Sequence, residues 1–197
     1  MTEIRYSGEA LWSRIERALE KVKDRLRRVV QALDGVEIPY AVIGGNAVQL
    51  WVAQVDEAAV RNTKDVDIVL RRSDLEAAKA ALEAVGFVYR HAARIDMFLD
   101  GPDASARDAV HVIFAGEKVR PEYLEAAPDV DDVARIDDIR TVPLASLITM
   151  KLTSYRDHDR THVRDMISVG LVDETWLDRV PPSLRDRLKQ LLDDPDG

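Results

Sequence analysis

Two adjacent glycines directly after a short apolar run restrict the fold of this chain more than any other feature. The run is Tyr40–Ile43, and Gly44 and Gly45 follow it at once. A short apolar run that begins after a proline is typical of a buried strand. Residues 46–53 then have the composition of a helix. The sequence therefore predicts a strand, a glycine turn and a helix in succession, which is an α/β unit.

The next predicted strand, 65–70, carries two acidic residues. Asp65 and Asp67 are separated by one valine. Residues two apart on a strand face the same side and lie about 7 Å apart, so both carboxylates point away from the apolar face. Neighbouring carboxylates repel each other and are costly to bury alone, whereas Mg²⁺ or Mn²⁺ binds such oxygen ligands. The pair predicts a divalent-metal site; a solvated strand edge is the alternative.

The glycine turn complements this acidic pair. A helix start offers free backbone N–H groups and the positive end of the helix dipole. Without Cβ atoms, Gly44 and Gly45 allow a phosphate chain to approach the backbone. Asn46 either caps the helix or donates a hydrogen bond to a phosphate oxygen. Each feature alone is also common as plain structure, but together they predict phosphoryl or nucleotidyl transfer.

The remaining pattern predicts an α/β (α+β) fold: a small mixed sheet with flanking helices and a C-terminal helical unit. Helices are predicted over 8–34, 74–85, 144–156, 160–169, 174–178 and 183–192. Further strands are predicted over 87–90, 96–99, 109–115 and 140–142, while 116–137 has no clear pattern. The chain divides into an N-terminal helix (1–35), an α/β domain (36–142) and a helical region (143–197).

Composition excludes several classes of protein. The chain has no cysteine, which excludes disulfides and thiolate metal sites. Its net charge of −8 argues against broad electrostatic adhesion to nucleic acid, although 21–28 and 156–165 are locally basic. The first residues lack the pattern of a signal peptide and no apolar run could span a bilayer. We expect a soluble, cytoplasmic protein with no membrane partner.

Three segments resemble a known family. "IGGNA" (43–47) followed by "RNTKDVDIVL" (61–70) is similar to the nucleotidyltransferase superfamily of DNA polymerase beta type. With "MKLTSYRDHDRTHVRD" (150–165), the chain most resembles the AbiEii-like branch, many of whose members are toxin-like partners in bacterial systems. The resemblance covers about 40–170. It implies a sheet of the nucleotidyltransferase type and transfer of a nucleotidyl group from a nucleoside triphosphate to an acceptor hydroxyl.

The resemblance also implies roles for the glycines and acids. Gly44, Gly45 and Asn46 would contact the nucleotide phosphates. Asp65 and Asp67 would hold Mg²⁺ or Mn²⁺. The acceptor would be RNA, protein or a small molecule such as an aminoglycoside; the branch points toward tRNA and toward an antitoxin-like protein partner.

Four further residues follow from the same resemblance. Arg61 and Thr63 would position phosphate or shape their loop. Lys151 would reach the triphosphate, and Asp165 would orient Lys151 or contact substrate. Lys151 also lies in an otherwise apolar helical row, where a lysine must either extend to solvent or meet an anion. Asp165 has an alternative in an internal salt-bridge set with arginines 160 and 164.

One position departs from the family pattern. The superfamily usually carries a third carboxylate on a neighbouring strand, and the centre of "DAVHVIFAG" (108–116) is His111. In register, His111 would face Asp65 and Asp67 as a metal ligand, a general base, or a hydrogen-bonded partner of one aspartate. Asp108 and Asp96 are substitutes if the register shifts. The departure favours an alternative function, a catalytically inactive nucleotide-binding module or toxin–antitoxin-like component.

Two other histidines have metal-binding spacing. His158 and His162 lie one helical turn apart, but no third ligand is near them in sequence. We predict that both are surface residues.

Overall fold

The computed structural model describes residues 5–195, which form one seven-stranded sheet and six α-helices. The helices are α1 (Glu9–Asp34), α2 (Gly44–Ala53), α3 (Leu75–Ala84), α4 (Leu144–Ser154), α5 (Asp157–Ser168) and α6 (Arg185–Asp193). The strands are β1 (Tyr40–Ile43), β2 (Val66–Leu70), β3 (Val88–Ala92), β4 (Ile95–Leu99), β5 (Ala109–Phe114), β6 (Ala134–Ile136) and β7 (Ile139–Thr141). The predicted α/β class with a mixed sheet is confirmed.

The sheet places the acid-bearing strand at its centre, in the order β3-β4-β5-β2-β1-β7-β6. β2 runs antiparallel to β1 and parallel to β5. Asp67 therefore lies opposite Ile43 on one side and opposite His111 on the other. The register assumed in the sequence analysis holds, and neither Asp96 nor Asp108 replaces His111.

Both faces of the sheet are covered by apolar side chains. Val66, Ile68 and Leu70 face a core formed with α1 and α3, as their alternation predicts. Val69, on the same side as Asp67, is fully buried in a second core. Asp67 consequently lies at the end of a buried face, because the side chain two residues further on already belongs to the core.

The second core joins the sheet to the C-terminal helices. It contains Ile43 of β1, Val48 of α2, Leu147 of α4, Val163 of α5 and Leu188 of α6. The helical region predicted from residue 143 begins with α4 at Leu144. Helices α4 and α5 pack against α2, and α6 packs against α5.

One strand lies where the sequence shows no pattern. β6 falls within 116–137 and pairs antiparallel with β7. The connection is only Asp137 and Asp138, both with positive φ (49° and 60°), which suits a two-residue hairpin turn. A strand of three residues is too short to show alternation, so only the paired acids could have indicated this hairpin.

Among the described residues, no helix is both long enough and apolar enough to cross a membrane.

Candidate active site

The first glycine of α2 lies directly against the carboxylate of Asp67. Gly44 has φ +68°, and a Cβ atom built on it would lie 2.0 Å from Asp67 Oδ2. No other residue could occupy this position without moving the acid. The start of α2, with its unpaired N–H groups and positive dipole end, is thereby brought next to the acidic strand.

The second glycine accommodates the loop that leads into β2. A Cβ atom on Gly45 would lie 2.6 Å from Thr63 Oγ1 and 2.8 Å from Thr63 Cβ. The threonine hydroxyl also bonds the carbonyl of Asp65 at 3.5 Å. Thr63 therefore packs between Gly45 and the backbone of Asp65, and both roles expected for it stay predictions.

Three side chains hold the backbone of this loop. Asn46 Nδ2 donates to the carbonyl of Asp65 at 2.6 Å, and Gln49 Nε2 donates to the carbonyl of Arg61 at 2.7 Å. From the other side, buried Arg25 of α1 donates to the carbonyl of Lys64 at 3.4 Å. Asn46 makes no side-chain cap on α2, so the capping role considered for it is wrong.

Arg61 and Asp165 bond to each other. Arg61 Nε lies 2.9 Å and 2.7 Å from the two carboxylate oxygens of Asp165. This pair ties the loop to α5 across the site. The prediction that Asp165 orients Lys151 is wrong, and so is its alternative of a set with arginines 160 and 164, since these bond Asp157 and Asp194.

His111 lies beside the central acid. Its Nδ1 is 3.3 Å from Asp67 Oδ1, and each side chain is 26% exposed. The hydrogen bond to Asp67 raises the pKa of His111 against the opposing effect of burial, and the charges of Asp67 and Asp65 act in the same direction. Asp65 itself is exposed, immediately before β2. The structure thus brings together Gly44, Asp67 and His111, with Asp65 at the rim.

The donor set of this cluster suits a hard cation only with help from a substrate. Within residues 5–195, no group of three or more His, Cys, Asp or Glu side chains is arranged to hold a metal ion. Mg²⁺ is commonly bound by one or two carboxylates with substrate phosphates and waters completing the shell. Asp65 and Asp67 fit that pattern, while His111 is engaged with Asp67; the metal assignment stays a prediction.

Lys151 is buried in an ion pair instead of extending to solvent. Its Nζ lies 3.0 Å from Asp159 Oδ1, and the two side chains are 7% and 1% exposed. Asp159 also accepts hydrogen bonds from Ser154 and Arg156. The anion that Lys151 meets is therefore Asp159, a residue the sequence analysis did not single out. Asp159 lies eight residues after Lys151, and the chain leaves one helix and enters another between them. The three- or four-residue spacing that indicates a contact within one helix is therefore missing.

Arg156 is a second residue that the sequence analysis missed. Its Nε donates to Asp159 at 2.8 Å, yet its side chain is 54% exposed. Burial works against its charge, but the hydrogen bond to Asp159 and the charges of Asp159 and Asp67 raise the pKa of Arg156. A half-exposed guanidinium within the field of Asp67 is well suited to meet phosphate oxygens.

His162 is partly buried, so the prediction of a surface residue is wrong for it, while His158 is exposed as predicted. Burial, together with the positive charge of Lys151, lowers the pKa of His162 to about 4. Among the described residues its Nδ1 is buried without a hydrogen-bond partner. The imidazole is therefore held neutral between Lys151, Asp159, His158 and Arg61.

We expect His162 to make the fold sensitive to mild acid. The unfolded chain binds a proton at His162 near pH 6.5 and the folded chain only near pH 4, so acidification favours unfolding between these values. From pH 7 to pH 5 this group should remove about 2 kcal/mol of stability. Urea unfolding of the wild type and of His162→Gln at both pH values measures the difference. The exposed His158→Gln is the matched control; identical pH slopes in all three proteins contradict the expectation.

Comparison with known proteins supports the architecture. No family profile matches the chain, and no curated protein matches its sequence. A solved solution structure of the antibiotic-resistance factor ANT(2'')-Ia is similar over 86% of this chain and 92% of its own, with a TM-score of 0.53 and 13% identity. A crystal structure of ANT(2'')-Ia with adenylyl-2''-tobramycin covers 85% of this chain and 96% of its own, with a TM-score of 0.52 and 12% identity. The chain therefore has the nucleotidyltransferase fold.

Proposed function

We propose that this protein transfers a nucleotidyl group from a nucleoside triphosphate to an acceptor hydroxyl. The observation that carries the proposal is the contact of the Asp67 carboxylate with Gly44 at the start of α2. A phosphate-binding backbone and a metal-binding acid then share one site, as nucleotidyl transfer requires. The similarity of the fold to that of ANT(2'')-Ia supports nucleotidyl transfer as the class of reaction.

The residues have distinct tasks in this proposal. Gly44 and Gly45 let Asp67 and Thr63 pack directly against the start of α2, whose free backbone N–H groups would bind the triphosphate. Asp65 and Asp67 hold Mg²⁺ or Mn²⁺, which when bound would neutralise phosphate charge and polarise the transferred phosphoryl group. His111 fixes the orientation of Asp67 through its 3.3 Å contact. The charge of Arg156 interacts with that of Asp67, and Arg156 would stabilise the departing pyrophosphate.

Lys151 has a positioning task here. Its ammonium neutralises Asp159, the carboxylate that accepts the Nε–H of Arg156. Without Lys151, Asp159 would no longer be held from the side of α4, and Arg156 would shift together with the carboxylate that it bonds. Arg61 and Asp165 likewise act through the loop that carries Asp65 and not through the nucleotide.

A small cationic or neutral acceptor is favoured over nucleic acid. The net charge of −8 opposes approach of a polyanion. ANT(2'')-Ia has been solved with adenylyl-2''-tobramycin, a nucleotidylated small molecule. We propose a polyhydroxylated small molecule of this kind, with tRNA and a protein hydroxyl as the acceptors to test against it.

The second candidate function is a nucleotide-binding module without chemistry, as in a toxin–antitoxin-like component. His111 favours it, because an imidazole stands where the superfamily resemblance implies a third carboxylate. Such a module would bind triphosphate at the same glycines and acids but release it unchanged.

A transfer assay separates the two functions. The full chain is incubated with each α-labelled nucleoside triphosphate, with Mg²⁺ or Mn²⁺, and with tobramycin, bulk tRNA or no added acceptor. We expect label on the small molecule and a fall to background in Asp67→Asn, because the amide cannot neutralise a cation. Asp96→Asn, a buried acid that bonds Tyr89 and His91 elsewhere in the sheet, is the control and should keep activity.

Equilibrium binding of the same nucleotides completes the assay. Binding without transfer to any acceptor supports the module. The proposed site is contradicted if the protein shows no binding and no transfer, or if the wild type and Asp67→Asn transfer label equally.

A further inference from the structure

The first turns of α1 expose an unusual share of the large apolar side chains. Leu11, Trp12 and Ile15 are exposed, and Trp12 is 62% exposed. Tyr6, just before the helix, is exposed as well. The other exposed large apolar side chains among the described residues are spread over the rest of the chain. This end of α1 therefore carries an apolar surface that the chain itself leaves uncovered.

The exposed side chains continue a buried seam. Seven apolar positions along α1 are separated by steps of three and four in strict alternation: Trp12, Ile15, Leu19, Val22, Leu26, Val29 and Leu33. This is the a/d repeat of a coiled coil. The last three are buried against the sheet and α3, whereas the first four are exposed or only partly buried. The seam extends beyond the domain that covers its other half.

The polar face of this segment argues for a protein partner and against a lipid surface. Residues 9–24 contain four acidic and four basic side chains. Amphipathic helices that bind membranes usually have a basic polar face. A neutral, mixed face beside an a/d seam is typical of helix–helix pairing.

We propose that α1 pairs antiparallel with α1 of a second copy of this chain. The two-fold axis crosses the interface at the level of residue 17 along the helix. In this register Trp12 lies against Val22 of the second copy and Ile15 against Leu19 of the second copy. The pairing uses the exposed Trp12 and Ile15 together with Leu19 and Val22, which are partly exposed, Val22 already touching the core of its own chain. The N-terminus of each helix stops before the buried part of the neighbouring helix. A two-fold arrangement is closed, so no further copy is added.

The flanking charges complement this register. Glu9, Glu16 and Lys23 occupy the same flank of the seam, one heptad apart. Like flanks face each other in an antiparallel pair, so Glu9 meets Lys23 of the second copy, and the symmetric contact repeats it. Glu16 meets its own symmetry mate at the axis. Two attractive pairs thus stand against one repulsive pair.

Four layers make a short interface. It buries less than the roughly 1,200 Å² of a standard stable complex, so we expect a dissociation constant in the micromolar range. The dimer is then concentration-dependent and independent of the transfer reaction.

Sedimentation of the full chain over about 1 to 200 µM tests the pairing, since this range brackets a micromolar dissociation constant. We expect monomer at the low end, dimer at the high end, and only monomer for Ile15→Glu. Val55→Glu, which adds the same charge at an exposed valine in the loop after α2, is the matched control and should dimerise as the wild type does. A wild type that stays monomeric, or an Ile15→Glu variant that still dimerises, overturns the proposal. So does a monomer that cosediments with anionic vesicles through Trp12.

Single cysteines test the register, because the chain has none of its own. Glu16→Cys lies beside the axis and should form a disulfide-linked dimer on mild oxidation. Glu20→Cys lies on the outer face of α1 and should not. Glu16→Gln removes the like-charge contact and should tighten the dimer a few-fold. Equal cross-linking of the two cysteine variants, or a weaker dimer in Glu16→Gln, contradicts the antiparallel arrangement.

Discussion

Gly44→Ala should abolish nucleotidyl transfer and destabilise the protein by about 3 kcal/mol, through backbone strain and overpacking together. The added Cβ would fall 2.0 Å from Asp67 Oδ2, and the backbone has φ +68°. The protein must either displace the central carboxylate or distort the start of α2. Both outcomes separate the phosphate-binding backbone from the acid. Urea unfolding and the label-transfer assay measure the two effects.

Gly116→Ala is the matched control, because Gly116 has a similar φ of +72° and nothing within 4 Å of an added Cβ. Gly116→Ala should lose about 1–2 kcal/mol of stability through backbone strain alone and leave nucleotidyl transfer unchanged. If the two variants lose equal stability, or if Gly44→Ala still transfers nucleotide at the wild-type rate, the contact with Asp67 is not what requires a glycine.

Lys151→Ala should destabilise the protein by about 3–5 kcal/mol, the usual cost of removing one partner of a buried ion pair. The lysine is 7% exposed and its partner Asp159 only 1%. Without it, Asp159 stays buried with less compensation for its charge. The charge of Lys151 and the hydrogen bonds from Arg156, Ser154 and Lys151 outweigh the effect of burial and hold the pKa of Asp159 well below its usual range. This stabilisation is present above the ordinary pKa of aspartate and is lost as pH falls below it.

Two further variants serve as references for the stability lost by Lys151→Ala. Lys189→Ala breaks the exposed pair with Asp193, in which both side chains are 63% exposed, and should cost no more than about 1 kcal/mol. The double variant Lys151→Met with Asp159→Leu should lose less stability than Lys151→Ala alone, because no unpaired charge remains buried. A single variant as stable as Lys189→Ala contradicts the structural role of Lys151.

Nucleotide binding by Lys151→Ala, measured at a temperature at which the variant is folded, separates the two roles of the lysine. The resemblance to the family implies direct contact with the triphosphate, which predicts that Lys151→Ala weakens binding more than Arg156→Ala does. The geometry implies an indirect effect through Arg156, which predicts that Arg156→Ala weakens binding by at least as much.

The sequence indicated the strand–glycine–helix unit and the acidic strand because both rest on local rules. The turn at Gly44 and Gly45 and the alternation of Val66, Ile68 and Leu70 are set by residues close together in the chain. The facing of Asp67 and His111 was expected because the family resemblance places their two strands side by side, and the register confirms it. The local parts of the site could therefore be predicted from the residues alone, and the pairing of the two strands only with the resemblance.

What only the tertiary structure decided is which opposite charges meet. Lys151 pairs with Asp159 and Arg61 with Asp165, and neither choice follows from spacing, because a charge pairs with whichever partner packing brings within reach. The same holds for His162, whose low pKa comes from burial and from the charge of Lys151 on α4. The sequence of α1 contains an unbroken heptad repeat of apolar residues. Only the fold shows that the repeat is buried from Leu26 onward, partly covered at Leu19 and Val22, and exposed at Trp12 and Ile15, because the sheet and α3 reach only its second half.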